Sequence, residues 1–225
     1  MKTLSENFYC IGDSHISIFA GTDLKQPNWP ESSSAKLPNF QPYKLGPVTA
    51  YNLCSYGTRS QGREKLNSVI RGIPSGSNII LCFGEIDCRV HILKVADEQN
   101  EDWSVIVEDV VDRYFDVILE LQSRKFKMFI LSVSPSAWAT MVDPGNTTYE
   151  WFIYGTTEQR NAVSKMFNNQ LAQKCKDNDI HFINIFDKFV DLDQETRHEF
   201  FPDGFHLCKK GLPTIIDSLE RSLNE

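Results

Sequence analysis

Two patterns of apolar residues alternate along this chain. Short continuous runs at 8–11, 78–83, 127–133 and 180–185 are bounded by polar or turn residues, as buried strands are. Longer stretches repeat at three and four residues: from Trp103, the positions Val107, Val110, Val111, Tyr114, Phe115, Ile118, Leu119 and Leu121 trace one face of a helix. Similar periodicity predicts helices over 63–70, over 159–176 with Val163, Met166, Phe167 and Leu171 inward, and over 207–223. The acidic stretch 97–102 reads as a solvated loop capping the helix that starts at Trp103. A second strand, or an approach to one, is expected within 45–54. Residues 21–46 and 134–157 lack either period and read as long loops. Strands alternating with helices predict an α/β chain, a five-stranded parallel sheet inside a three-layer α/β/α sandwich.

Composition narrows the classes. At 225 residues the chain suits one domain over 1–225, and its 41% apolar and 24% charged residues are ordinary globular values. A net charge of −7 argues against a general nucleic-acid or anionic-membrane binder, since such proteins concentrate Lys and Arg. No run approaches the ~18 apolar residues of a membrane span. The first seven residues lack a signal-peptide core, so the cytoplasm is the expected compartment. Six cysteines show no Cys-x-x-Cys pair; Cys10, Cys54 and Cys82 lie in apolar runs and read as structural thiols.

Candidate chemistry sits at the two ends. The first apolar run closes on Gly12-Asp13-Ser14-His15, which delivers a hydroxyl to the C-terminal end of a strand, where open α/β sheets place ligands. A serine needs a base to become a nucleophile, and Asp203 stands three residues before His206, close enough for one turn to hold carboxylate against imidazole. Residues 15–20 are expected to form a short helix whose first N–H groups face an oxyanion beside Ser14. His15 is expected to face away as a surface or helix-start residue, His91 to be an orienting or surface group, and His181 to be structural.

Gly-Asp-Ser after the first strand together with Asp-x-x-His before the last helix resembles the SGNH (GDSL-like) hydrolase superfamily, over 11–207. The stretch Phe83-Gly84-Glu85-Ile86-Asp87-Cys88-Arg89 resembles a branch of that superfamily found among bacterial polysaccharide-associated proteins. The resemblance implies a flavodoxin-like strand order 2-1-3-4-5, Ser14, Asp203 and His206 as catalytic residues, and an oxyanion hole built from the Ser14 N–H and a glycine N–H at the end of the second strand. Gly57 is the best match for that glycine, with Gly62 its competitor. One departure stands out: aligned with the common Gly-x-Asn-Asp, the chain has Ile86 where the side-chain donor belongs.

Around this set, Glu85, Asp87 and Arg89 are either substrate contacts or an ion-pair cluster bracing the loop. Asp13 is expected beside the substrate, bonding backbone N–H groups to hold the corner. Trp138 and Trp151 offer aromatic faces for a sugar, or a satellite core. No metal or cofactor is called for. The expected activity is that of a serine esterase or acyltransferase on a small-molecule or glycan acyl ester, with acetyl on a carbohydrate foremost. Its alternatives are a noncatalytic glycan-binding or scaffold protein of polysaccharide biosynthesis, and a thioesterase.

Overall fold

A computed structural model describes residues 6–24, 26–136 and 153–224. Five strands, β1 (Phe8–Gly12), β2 (Phe40–Lys44), β3 (Asn78–Cys82), β4 (Lys127–Leu131) and β5 (His181–Ile183), form one sheet. All pairings are parallel, in the order β2-β1-β3-β4-β5. Helices α1 (Gly62–Arg71), α2 (Ile92–Gln99), α3 (Trp103–Ser123), α4 (Thr157–Asp177) and α5 (Leu212–Asn224) complete the three layers.

The sheet is buried on both faces, which is why its central strands read as unbroken apolar runs. Ile79 and Leu81 of β3 face a core shared with Leu66 of α1, Val111 and Ile118 of α3, and Phe167 of α4. Their neighbours Ile80 and Cys82 face the other core, with Phe19, Ile215 and Leu219. Each such fully buried Ile, Leu or Phe contributes ~1.5–3 kcal/mol relative to exposure. Asp102 caps α3 by accepting the Ser104 N–H (2.8 Å), so the acidic stretch does serve the following helix, although its first half already belongs to α2. Thr156 and Gln159 form a reciprocal capping box on α4. That helix also turns Asn161 and Asn168 inward, where they bond the backbone of Ser136 and Val133 and fix the chain leaving β4.

The second strand lies where a loop was expected. It is not within 45–54 but is Phe40–Lys44, inside the presumed loop 21–46. Its sequence, Phe-Gln-Pro-Tyr-Lys, hides it, because Pro42 argues against a central strand. As an edge strand it pairs only with β1, and Phe40 buries itself against Phe8 and Phe19. No helix among the described residues is long and apolar enough to cross a membrane. All six cysteines are unpaired, and Cys10, Cys82, Cys88 and Cys175 are buried.

Candidate active site

β1 ends against β3 so closely that a Cβ on Gly12 would stand 2.5 Å from the Cys82 carbonyl oxygen. Only glycine fits there. The next residue, Asp13, is buried and accepts the His15 N–H at 2.9 Å, capping a 3₁₀ helix over Ser14–Ala20. Burial pushes the Asp13 carboxyl up to about 6, against the pull of His15. Ser14 is thereby fixed at the first helical position, on the C-terminal edge of the sheet.

The other half comes from the turn before α5. Asp203 Oδ1 accepts the N–H groups of Phe205 (3.0 Å) and His206 (2.7 Å), while Oδ2 lies 2.7 Å from His206 Nδ1. Partial burial would raise the Asp203 carboxyl, but these bonds from His206 and Phe205 outweigh it and hold the group well below the usual carboxylate range. An ionised Asp203 needs a proton on Nδ1, which leaves Nε2 as the acceptor. His206 Nε2 lies 2.8 Å from Ser14 Oγ. Ser14, Asp203 and His206 open on one cavity of ≈420 Å³, with Ile18, Leu24 and Lys44 among its walls. A second cavity, ≈280 Å³, is lined by Trp29, Ser33, Gln41 and Tyr43 and shares Ser17 and Lys44 with the first.

Other predicted residues fall elsewhere. Gly57 donates its N–H to Glu64 Oε1 at 2.6 Å, so that donor is already committed and Gly57 does not serve an oxyanion. Gly62 opens α1 against Val48. With β2 at Phe40–Lys44, the glycine at the end of the second strand is Gly46, in a tight turn at φ +98°. Sequence reading missed it because the strand itself was misplaced. Asp13, Glu85 and Asp87 do not line the cavity that holds Ser14 and His206; all three residues are buried. Asp87 accepts the N–H groups of Ala50 (2.7 Å) and Tyr51 (3.2 Å), pinning the segment after Gly46 to the end of β3. Burial pushes its carboxyl up to about 7 despite those bonds.

Glu85 is 4% exposed and receives the Arg89 Nε–H at 2.5 Å. The ion-pair reading therefore describes Glu85 and Arg89 better than substrate contact. His15 does not face away: its side chain, 9% exposed, puts Nε2 3.2 Å from Glu85 Oε2 and forms part of the cavity wall beside Ser14. The signal that would have found this pair is absent from local sequence, since 70 residues separate its members, whereas Glu85 and Arg89 stand at helical i,i+4 spacing. His181 stacks on Phe129 and bonds the Ser222 carbonyl, a structural role. Trp138 and Trp151 lie outside the described residues.

No protein-family model matches the sequence, and no curated protein matches it. Solved structures do. An acetylxylan esterase from Geobacillus stearothermophilus, solved as a catalytic mutant, is 15% identical with a TM-score of 0.55, covering 97% of this chain and 94% of that one. The acetyl xylan esterase AlAXEase is 16% identical with a TM-score of 0.53, over 96% of this chain and 99% of its own. The OSK domain of Drosophila Oskar is 13% identical with a TM-score of 0.59, over 99% and 91%. At these identities the likeness shows the fold alone, a three-layer α/β/α sandwich around a five-stranded parallel sheet.

Proposed function

We propose that this protein is a serine esterase of the SGNH hydrolase superfamily, removing or transferring an O-acyl group, acetyl on a carbohydrate. The observation that carries the proposal is the unbroken chain from Asp203 through His206 to Ser14, at 2.7 and 2.8 Å, open to a cavity. Ser14 Oγ attacks the acyl carbonyl as His206 Nε2 takes its proton, and Asp203 stabilises the imidazolium. The negative charge on the carbonyl oxygen is met by the Ser14 N–H and, by its place just after the second strand, the Gly46 N–H. His206 then gives its proton to the departing alkoxide, and water or a sugar hydroxyl, deprotonated by the same ring, releases the acyl group.

Carbohydrate as the alcohol part rests on two supports. Two of the similar structures are named as acetylxylan esterases. The cavity beside β2 joins an aromatic face at Trp29 to polar groups at Ser33 and Gln41, the mixture a sugar ring requires. Trp29→Ala is expected to raise KM for an acetylated oligosaccharide by roughly tenfold, the loss of about 1.4 kcal/mol of stacking, and to leave aryl acetate kinetics unchanged. Equal effects on both substrates would remove that cavity from the substrate path.

A noncatalytic glycan-binding role is favoured by Ile86, which puts no donor where the superfamily's side-chain amide belongs. Covalent labelling decides between the two. A fluorophosphonate should add one phosphonyl group to the wild-type protein, mapped by mass to Ser14, and none to Ser14→Ala. A folded wild type that neither labels nor turns over a short aryl acetate sinks the esterase and favours the binding role.

A further inference from the structure

The turn that carries His206 is exposed, with 42% of the His206 side chain and 55% of the Asp203 side chain accessible. Its internal bonds fix Asp203 relative to His206 but do not fix either one relative to Ser14. Besides the Ser14 bond to His206, two ring contacts reach it from the helical turns that follow β1 and β3. The His15 ring centroid lies 4.8 Å from that of His206, and the Arg89 guanidinium lies 4.9 Å over the Phe205 ring. His15 and Arg89 are in turn held by one buried carboxylate, Glu85, which meets Arg89 Nε at 2.5 Å through Oε1 and His15 Nε2 at 3.2 Å through Oε2.

We infer that Glu85, His15 and Arg89 form a clamp that seats the Phe205-His206 turn on Ser14, making the three of them positioning residues of the active site. The pairing is economical in geometry: one carboxylate holds two groups, and those two press on consecutive residues of the turn. A cation over an aromatic face is favourable, more so when shielded from water. Burial disfavours a charged His15, but Glu85 and then Asp13 outweigh it and raise the ring above 6.5, with Arg89 opposing. The residues that replace the superfamily's Gly-x-Asn-Asp would thus trade an oxyanion donor for control of the base.

The kinetic part of the inference rests on the esterase reading, whereas its structural part does not. The test compares wild type with His15→Ala and Glu85→Gln by hydrogen exchange and by aryl acetate kinetics. Amides of 204–208 are expected to exchange at least about tenfold faster in both variants while those of β1 and β3 keep their rates. In the same variants kcat should fall about 10- to 100-fold with KM within about threefold, as misplacing a base by a fraction of an ångström does. Arg89→Met, which keeps the side-chain stem, tests the second arm if Glu85→Gln does not fold, with the same expected result. Unchanged exchange over 204–208 in the folded variants overturns the clamp. If wild type has no turnover the esterase reading fails, and the exchange comparison alone still decides the clamp.

Discussion

His206→Ala is expected to lower kcat for a short aryl acetate by about 10⁴-fold, with KM changed by no more than about threefold. Nε2 is the proton acceptor nearest Ser14 Oγ, at 2.8 Å, and an unassisted hydroxyl is a poor nucleophile. Ground-state binding uses the cavity walls instead, which is why KM should hold. Asp203→Asn is expected to do less, about 10²-fold, because Asp203 is half exposed and water can partly replace its bond to Nδ1. Stopped-flow or steady-state assays on the three proteins measure both. A kcat for His206→Ala within about tenfold of wild type would falsify the assignment of His206 as base, whatever Ser14 does.

The parts of the fold that sequence could announce are those whose neighbours do not matter. β3 and β4 are buried on both faces, so almost any neighbour they have is apolar and the run is continuous. The three-layer architecture follows from them, and the strand order, which only the resemblance implies, agrees with the structure. β2 is legible only through its partner: Pro42 is tolerable solely because one side of the strand is an edge, and nothing local says so. That error carried over to Gly57, since the resemblance places its oxyanion glycine where the second strand stops.

The candidate site divides in the same way. Asp203 and His206 stand three residues apart and share one turn, so their contact is readable from spacing. Ser14 and His206 are 192 positions apart, and only resemblance to a superfamily joins them before a structure does. His15 and Glu85 lack even that help, because the contact arises from β1 and β3 being adjacent and in register at Gly12 and Cys82. Two buried carboxylates, Asp13 and Asp87, look like site residues in a motif and are bracing groups in the fold. Their bonds go to backbone N–H groups, which sequence cannot display.

Those buried carboxylates set the last prediction, a stability that declines as pH rises from about 4 toward neutrality. Asp87 has a carboxyl pushed by burial from 3.8 up to about 7, and Asp13 one pushed to about 6. Each folded-state value lies above the unfolded one, so the folded chain binds the proton more tightly. Its contribution is intact below the unfolded value and is lost as pH rises toward the folded value. For the fully buried Asp87 a displacement of that size corresponds to on the order of 4 kcal/mol between pH 4 and pH 8. Glu85 and Asp203 are displaced the other way, and they lose stability only as pH falls below the ordinary carboxylate range. The two windows meet at the ordinary carboxylate values, near about pH 4, where urea midpoints should be highest. Asp87→Asn removes the titration but offers one oxygen to two N–H donors, so at about pH 5 it should be less stable than wild type by ~1–3 kcal/mol. Toward about pH 8 that gap should close or reverse, because only the wild type then buries a charge there. A gap that stays constant across both values means that Asp87 does not titrate in this range, and the decline must come from Asp13 or from His15, whose proton is lost in the same direction.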